Sequence, residues 1–92
     1  MFTWHEAKRH TNLRKHGIDF KDASAIFDGF TVTSEDTRKA YGEQRLLTLG
    51  ALHGIVVSIT HTERDEQLHI ISIRKATRHE ERFYFSQIPD RP

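Results

Sequence analysis

From His5 to His16 the chain has no Gly or Pro, and its Glu, Ala, Lys, Arg and Leu residues favour a helix. Ala7 and Leu13 are its clearly apolar interior positions, so this helix is predicted to be mostly solvated, with Trp4 and Ile18 anchoring its ends. Lys8, Asn12 and Lys15 fall at i, i+4 and i+7 and share one face. Gly17 supplies a left-handed stop, and Lys15 and His16 sit in the last turn, where cations suit the dipole. Ahead of the helix, Phe2–Trp4 reads as a short edge strand. Behind it, Asp19 reads as an N-cap with Asp22 three residues on. Phe20, Ala23, Ile26, Phe27 and Phe30 then repeat at helical spacing, which predicts a second, well-packed helix ended by Gly29.

After Phe30 the rhythm changes to alternation. FTVTSED, QRLLTLGAL, IVVSITHTE and LHIISIRKA are rich in β-branched residues. The loop TRKAYGE, the His53-Gly54 turn and the charged RDEQ turn separate them, which predicts an antiparallel meander. Thr77 and Glu80 match a capping box, so a third helix, RHEERFYFSQ, should follow and end near Pro89. The expected architecture is one domain over residues 1–92. It is an α+β fold: a small antiparallel sheet with two N-terminal helices and a C-terminal helix on one side.

Composition narrows the chemistry. The sequence has no cysteine, so disulfides, zinc-thiolate sites and thiol nucleophiles are excluded. No apolar run approaches the roughly 18 residues of a membrane span. The first residues, MFTWHEAKRH, lack the apolar stretch of a signal peptide, so a cytoplasmic protein without membrane contact is expected. Net charge is +1, yet residues 1–17 carry +3 and residues 19–36 carry −4. Either the domain shows a basic face, or the two signs pair on folding. There is no P-loop, G-x-G-x-x-G or G-x-S-x-G, which leaves nucleotide hydrolysis and serine esterase chemistry without support.

An ordered set of residues carries a resemblance over most of the chain. It runs through Phe2, Trp4, Lys8, Asn12, Lys15, His16, Gly17, Ile18 and Phe20, then Gly42, Glu43 and Arg45. It continues with Thr62, Arg64, Ile70, Ile71, Ser72, Arg74, Ala76, Glu81, Arg82 and Tyr84. This pattern resembles BrnT, the ribonuclease toxin of BrnT/BrnA type II toxin–antitoxin systems. The resemblance implies a RelE-like fold and an RNA-cleaving toxin that arrests translation and growth. It also implies neutralisation by a DNA-binding BrnA-type antitoxin, through which the pair would contact its own operator DNA. A toxin dimer within a heterotetramer is compatible with this. The chain departs from the family at His5, where Asp is usual, and at Ile73, where a small Ala is common.

RNA cleavage without metal needs a base for the 2′-OH, cations for the crowded phosphorane and an acid for the leaving 5′-oxygen. Arg64, Arg74 and Arg45 are candidates for the phosphate, because guanidinium presents a donor fork matched to its oxygens. Simple alternation puts Arg74 on one strand face with Ile70 and Ser72. The alternative for these arginines is a surface ion pair with Glu43, Glu63 or Glu66. Lys8 and Lys15 could clamp the RNA backbone, or simply be solvated. His16 at a helix C-terminus is a candidate general acid, or only a capping histidine. Glu43 could be a base, or could orient Arg45. Tyr84 could stack on a base, or belong to the core. Lys8, His16, Arg64 and Arg74 are the expected catalytic set, and Lys15, Arg45, Glu43 and Tyr84 the expected RNA-binding set.

Seven histidines raise the question of a metal. There is no H-E-x-x-H, and His5 to His10 is a poor i, i+5 pair. His61 and His69 would have to face each other across the RDEQ turn without a defined third ligand. No metal and no cofactor are expected. Two functional classes therefore remain: an endoribonuclease toxin, and a non-catalytic module that binds RNA or a protein partner.

Overall fold

The structure, a computed structural model, describes residues 1–38, 40 and 42–89. Of the expected loop over 37–43, Lys39 and Tyr41 lie outside the described residues. The elements follow in the order β1 (Phe2–Trp4), α1 (Glu6–His16), a 3₁₀ turn (Phe20–Asp22), α2 (Ala23–Asp28), β2 (Val32–Glu35), β3 (Leu46–Leu52), β4 (Ile55–Arg64), β5 (Gln67–Lys75) and α3 (Arg78–Gln87). Among the described residues, no helix is long and apolar enough to cross a membrane.

Local signals in the chain explain most of these boundaries. Gly17 sits at φ 72° and donates its N–H to the Leu13 carbonyl, closing α1. The Asp19 side chain accepts from the Lys21 N–H, though it opens a 3₁₀ turn before α2 rather than one continuous helix. His53 and Gly54, both at positive φ, form the two-residue turn between β3 and β4. Asp65 and Glu66, at φ 52° and 62°, do the same between β4 and β5 without a glycine. Thr77 and Glu80 complete the capping box of α3.

The sheet is α+β as expected but mixed rather than antiparallel. Its strand order is β1-β5-β4-β3-β2, and β1 runs parallel to β5, with Phe2 opposite Leu68 and Trp4 opposite Ile70. Periodicity carries no strand direction, and β1 must enter so that α1 can continue along the same edge. The helices also do not share one side. Ile26 of α2 packs against Gly50, where a Cβ would approach its Cγ2 to 2.6 Å, and joins Phe20, Val57, Ile59, Ile70 and Ile73 in the main core. Leu49 and Val56, the neighbours of Gly50 and Val57, point the other way and pack on Tyr84 of α3. A second, smaller core therefore forms on the opposite face.

A bulge resets the alternation of β5. Thr60 pairs with Ser72 but His61 pairs with Ile70, leaving Ile71 as the extra residue. Ile70 and Ile73 consequently share the main core, while Ser72 and Arg74 lie on the α3 face. This corrects the expectation that Ile70, Ser72 and Arg74 share a face.

β1 covers β5 only as far as Ile70, and past that point α1 takes over the edge. The buried Asn12 carboxamide substitutes there for a strand. It donates to the Ile73 carbonyl at 2.8 Å and to the Ile18 carbonyl at 3.1 Å, and accepts from the Ile73 N–H at 3.2 Å. Arg9, buried beside it, bonds Glu6 and, with both carboxylate oxygens, Asp19. Asn12→Ala would leave buried backbone groups without partners, at about 2–3 kcal/mol. Urea unfolding should show that loss, and Asn12→Asp, which keeps one acceptor but no donor, should recover little of it.

Candidate active site

Helical spacing brings Lys8, Thr11 and Lys15 to one side of α1, where they line an open groove of about 430 Å³ with Ala7, Asn12, His16, Ile71 and Ser72. Asn12 holds its floor by bonding the β5 backbone. Lys8, Lys15 and His16 make no ion pair among the described residues. The basic face and the pairing of opposite signs therefore both occur: Arg9 pairs with Asp19, and the lysines face the groove.

Ser72 opens the groove onto the sheet face that carries Thr62, Arg64 and His69. His69 is half-buried beside β1, its Nδ1 2.9 Å from Thr3 Oγ1. The His5 ring stands edge-on to it with centroids 6.0 Å apart. Burial lowers the pKa of His69, and the positive charges of Arg64, His5 and Lys8 lower it further, while Glu43 opposes them. Lys8 and Arg64 thus bear on the same imidazole from α1 and from β4. Glu43 lies 3.3 Å from Arg64 and 3.9 Å from Arg45.

A larger cavity of about 610 Å³ lies by Glu35, Asp36, Glu43 and Arg45. Its three carboxylates make it a poorer phosphate site than the groove, which has no acidic lining residue.

A family model described as the ribonuclease toxin, BrnT, of type II toxin–antitoxin systems matches residues 4–80. The chain belongs to this BrnT family. No curated protein matches it.

The expected site residues of this BrnT-family chain fall into distinct groups. Lys8, Lys15 and His16 line the groove, and Arg64 stands with Glu43 beside His69. Arg45 is held near Glu43 at the other cavity. Arg74 binds both oxygens of Glu80 at 2.8 and 3.0 Å and also the Lys75 carbonyl. Its guanidinium fastens the end of β5 to the first turn of α3, an ion pair with none of the three expected glutamates. Tyr84 is 4% exposed, donates to the Phe30 carbonyl and packs between Phe30 and Phe85, so it presents no face to a base. It is a core residue.

His61 and His69 do not face each other. His61 points into the main core side, against Phe27, with Nε2 2.7 Å from Thr48 Oγ1, while His69 is on the opposite face. Among the described residues, no group of three or more His, Cys, Asp or Glu is placed to hold a metal. From the sequence, His69 was weighed only as a metal ligand, and His5 as a metal ligand and as a departure from the family's usual Asp. Alternation alone would have put His69 and Thr3 on the solvent side of Ile70 and Trp4, which was the available signal.

Arg74, foremost, with Thr77 holds the Glu80 carboxyl down to about 2, against an ordinary 4.5. Because the folded-state value is the lower one, the pairing stabilises the fold above about pH 4.5 and is lost as pH falls toward 2. Arg74→Ala should cost about 1 kcal/mol at neutral pH and flatten the acid limb of the stability curve. Carboxyl titration by NMR should show Glu80 moving back toward its ordinary value.

Proposed function

We propose that this domain is an RNA endonuclease that acts without metal as the toxin of its pair, with the strand lying in the groove between α1 and β5. The observation that carries this reading is that Lys8, Lys15 and His16 line one wall without an ion pair among the described residues, and that the array continues to Arg64 beside His69. Such an array suits a polyanion with a flexible backbone. Lys8 and His16 are eight residues apart on the helix, about 12 Å along its axis. They serve different phosphates of one strand rather than a single one.

In this reading Lys8 and Arg64 stabilise charge at the reacting phosphate, and Lys15 and His16 position the strand beyond it. Arg74 and Glu80 keep the end of β5 in place. The sheet with helices on both faces is compatible with a RelE-like fold. Cleavage of messenger RNA in the cytoplasm would halt translation. A DNA-binding antitoxin of the BrnA type, covering the groove, would block RNA entry and carry the pair to its operator, with a toxin dimer at the centre of a heterotetramer.

Purified protein should cut single-stranded RNA in the presence of EDTA, and its expression should arrest growth. Lys8→Ala and Arg64→Ala should abolish both while remaining folded. Binding of an uncleavable 2′-O-methyl strand should weaken with salt, and Lys15→Ala should reduce the log–log slope by about 0.7. Intact RNA with folded, salt-sensitive binding would return the domain to a non-catalytic RNA-binding role.

A further inference from the structure

Cleavage at a ribose 2′-OH requires a base and an acid at one phosphate. His16, at the far end of the groove from Lys8, has no second imidazole beside it among the groove residues. The other end has two. His69 projects from β5 with Nδ1 held by Thr3 Oγ1, and its Nε2 is neither bonded among the described residues nor buried. His5 stands 6.0 Å away, ring centroid to ring centroid, at 89°.

His5 also occupies an unusual place. It is the N-cap residue of α1, with extended backbone (φ −84°, ψ 123°), yet makes no side-chain cap bond. Asp, Asn, Ser or Thr there would accept a helix N–H and stabilise the helix start. The exposed imidazole forgoes that contact and remains able to turn toward His69. Lys8, one helical turn on, and Arg64, across the strand pair, both bear on His69.

We propose that His5 and His69 are the acid and the base of the cleavage step, with Lys8 and Arg64 as the cations at the phosphate. This rests on the ribonuclease reading above and names its proton-transfer groups. His69 Nε2 takes the 2′-OH proton while Nδ1–H donates to Thr3 Oγ1. The 2′-oxygen forms a bond to phosphorus, the bond from phosphorus to the 5′-oxygen breaks, and protonated His5 gives its proton to that oxygen. The products are a 2′,3′-cyclic phosphate and a 5′-hydroxyl. His69 leaves protonated and His5 neutral, and exchange with water resets the pair. No metal or redox partner enters the balance.

The charged surroundings fix which histidine plays which part. Facing His69 are Thr3 from β1, His5 and Lys8 at the start of α1, Arg64 from β4 and Glu43 from the loop before β3. Burial first, then three positive groups against one carboxylate, favour its neutral form, which a base needs. Positive charge on His5 disfavours a proton on His69. Thr3 is a positioning residue: it holds the ring by Nδ1, so that the tautomer protonated there presents Nε2 as acceptor.

The test follows cleavage of an end-labelled single-stranded RNA in EDTA across pH, with product ends identified. Wild type should give a bell-shaped profile and cyclic-phosphate ends. His69→Gln should lose about 10²–10⁴-fold and the acid limb of the profile. His5→Asn should lose the alkaline limb while its unfolding midpoint rises, since asparagine caps α1, so the loss is not unfolding. Thr3→Val should lower kcat and leave KM, and His79→Gln on α3 should match wild type. Wild-type cleavage with an unchanged profile in either His5→Asn or His69→Gln overturns the pair and leaves the ribonuclease reading standing. A folded wild type that binds RNA without cutting it overturns both.

Discussion

The Asn12 carboxamide on the Ile73 peptide is the contact on which the rest of the structure depends. A sheet edge presents unpaired backbone groups that must be covered, paired or solvated. β1 is too short to pair the whole of β5, and a helix backbone cannot supply ladder bonds. A single primary amide, with a donor and an acceptor on one plane, can. Its bonds fix both the height and the rotation of α1 against β5. With that rotation set, Lys8, Thr11 and Lys15 turn to the groove and Arg9 turns to Asp19.

Signals that act within a few residues were legible in the chain. Gly17, the His53-Gly54 turn and the Thr77–Glu80 capping box each place an element boundary by local stereochemistry, and the structure keeps all three. Features set by distant pairing were not legible. Nothing near Ile71 marks it as an extra residue, because its effect depends on how β4 lies beside it. The parallel direction of β1 and the crossing of α3 to the far face are likewise tertiary choices. Lys8, Lys15 and His16 could be grouped because they share a helix. The ion-pair partner of Arg74 was not foreseen because Glu80 lies within a capping box that was read for its helix signal alone. Tyr84 joined the core through Phe30, a contact spanning most of the chain.

A division between the two kinds of cation runs through the fold. Arg9, Arg38 and Arg74 each bond both oxygens of a carboxylate, on Asp19, Asp36 and Glu80, Arg9 through Nη1 alone and the other two through two nitrogens. A planar guanidinium suits such fixed two-point contacts, and each one joins neighbouring parts of the backbone. Lys8 and Lys15, with flexible stems and a single charge at the tip, are left toward solvent in the groove. Structural charge is thus carried mainly by arginine and available charge by lysine. Arg64 stands between the two, with one carboxylate at 3.3 Å and a half-exposed side chain.

The extra residue at Ile71 makes length, as well as identity, a constraint on β5. Deleting one residue there would restore strict alternation. Either Ile73 would leave the core, with Ser72 and Arg74 changing sides with it, or Ile70 and the residues before it would flip instead. Insertions between β2 and β3 face no such penalty, since they only lengthen a connection. Drift in this chain should therefore tolerate gaps before Leu46 and almost none between Leu68 and Lys75, even where several side chains there can be exchanged.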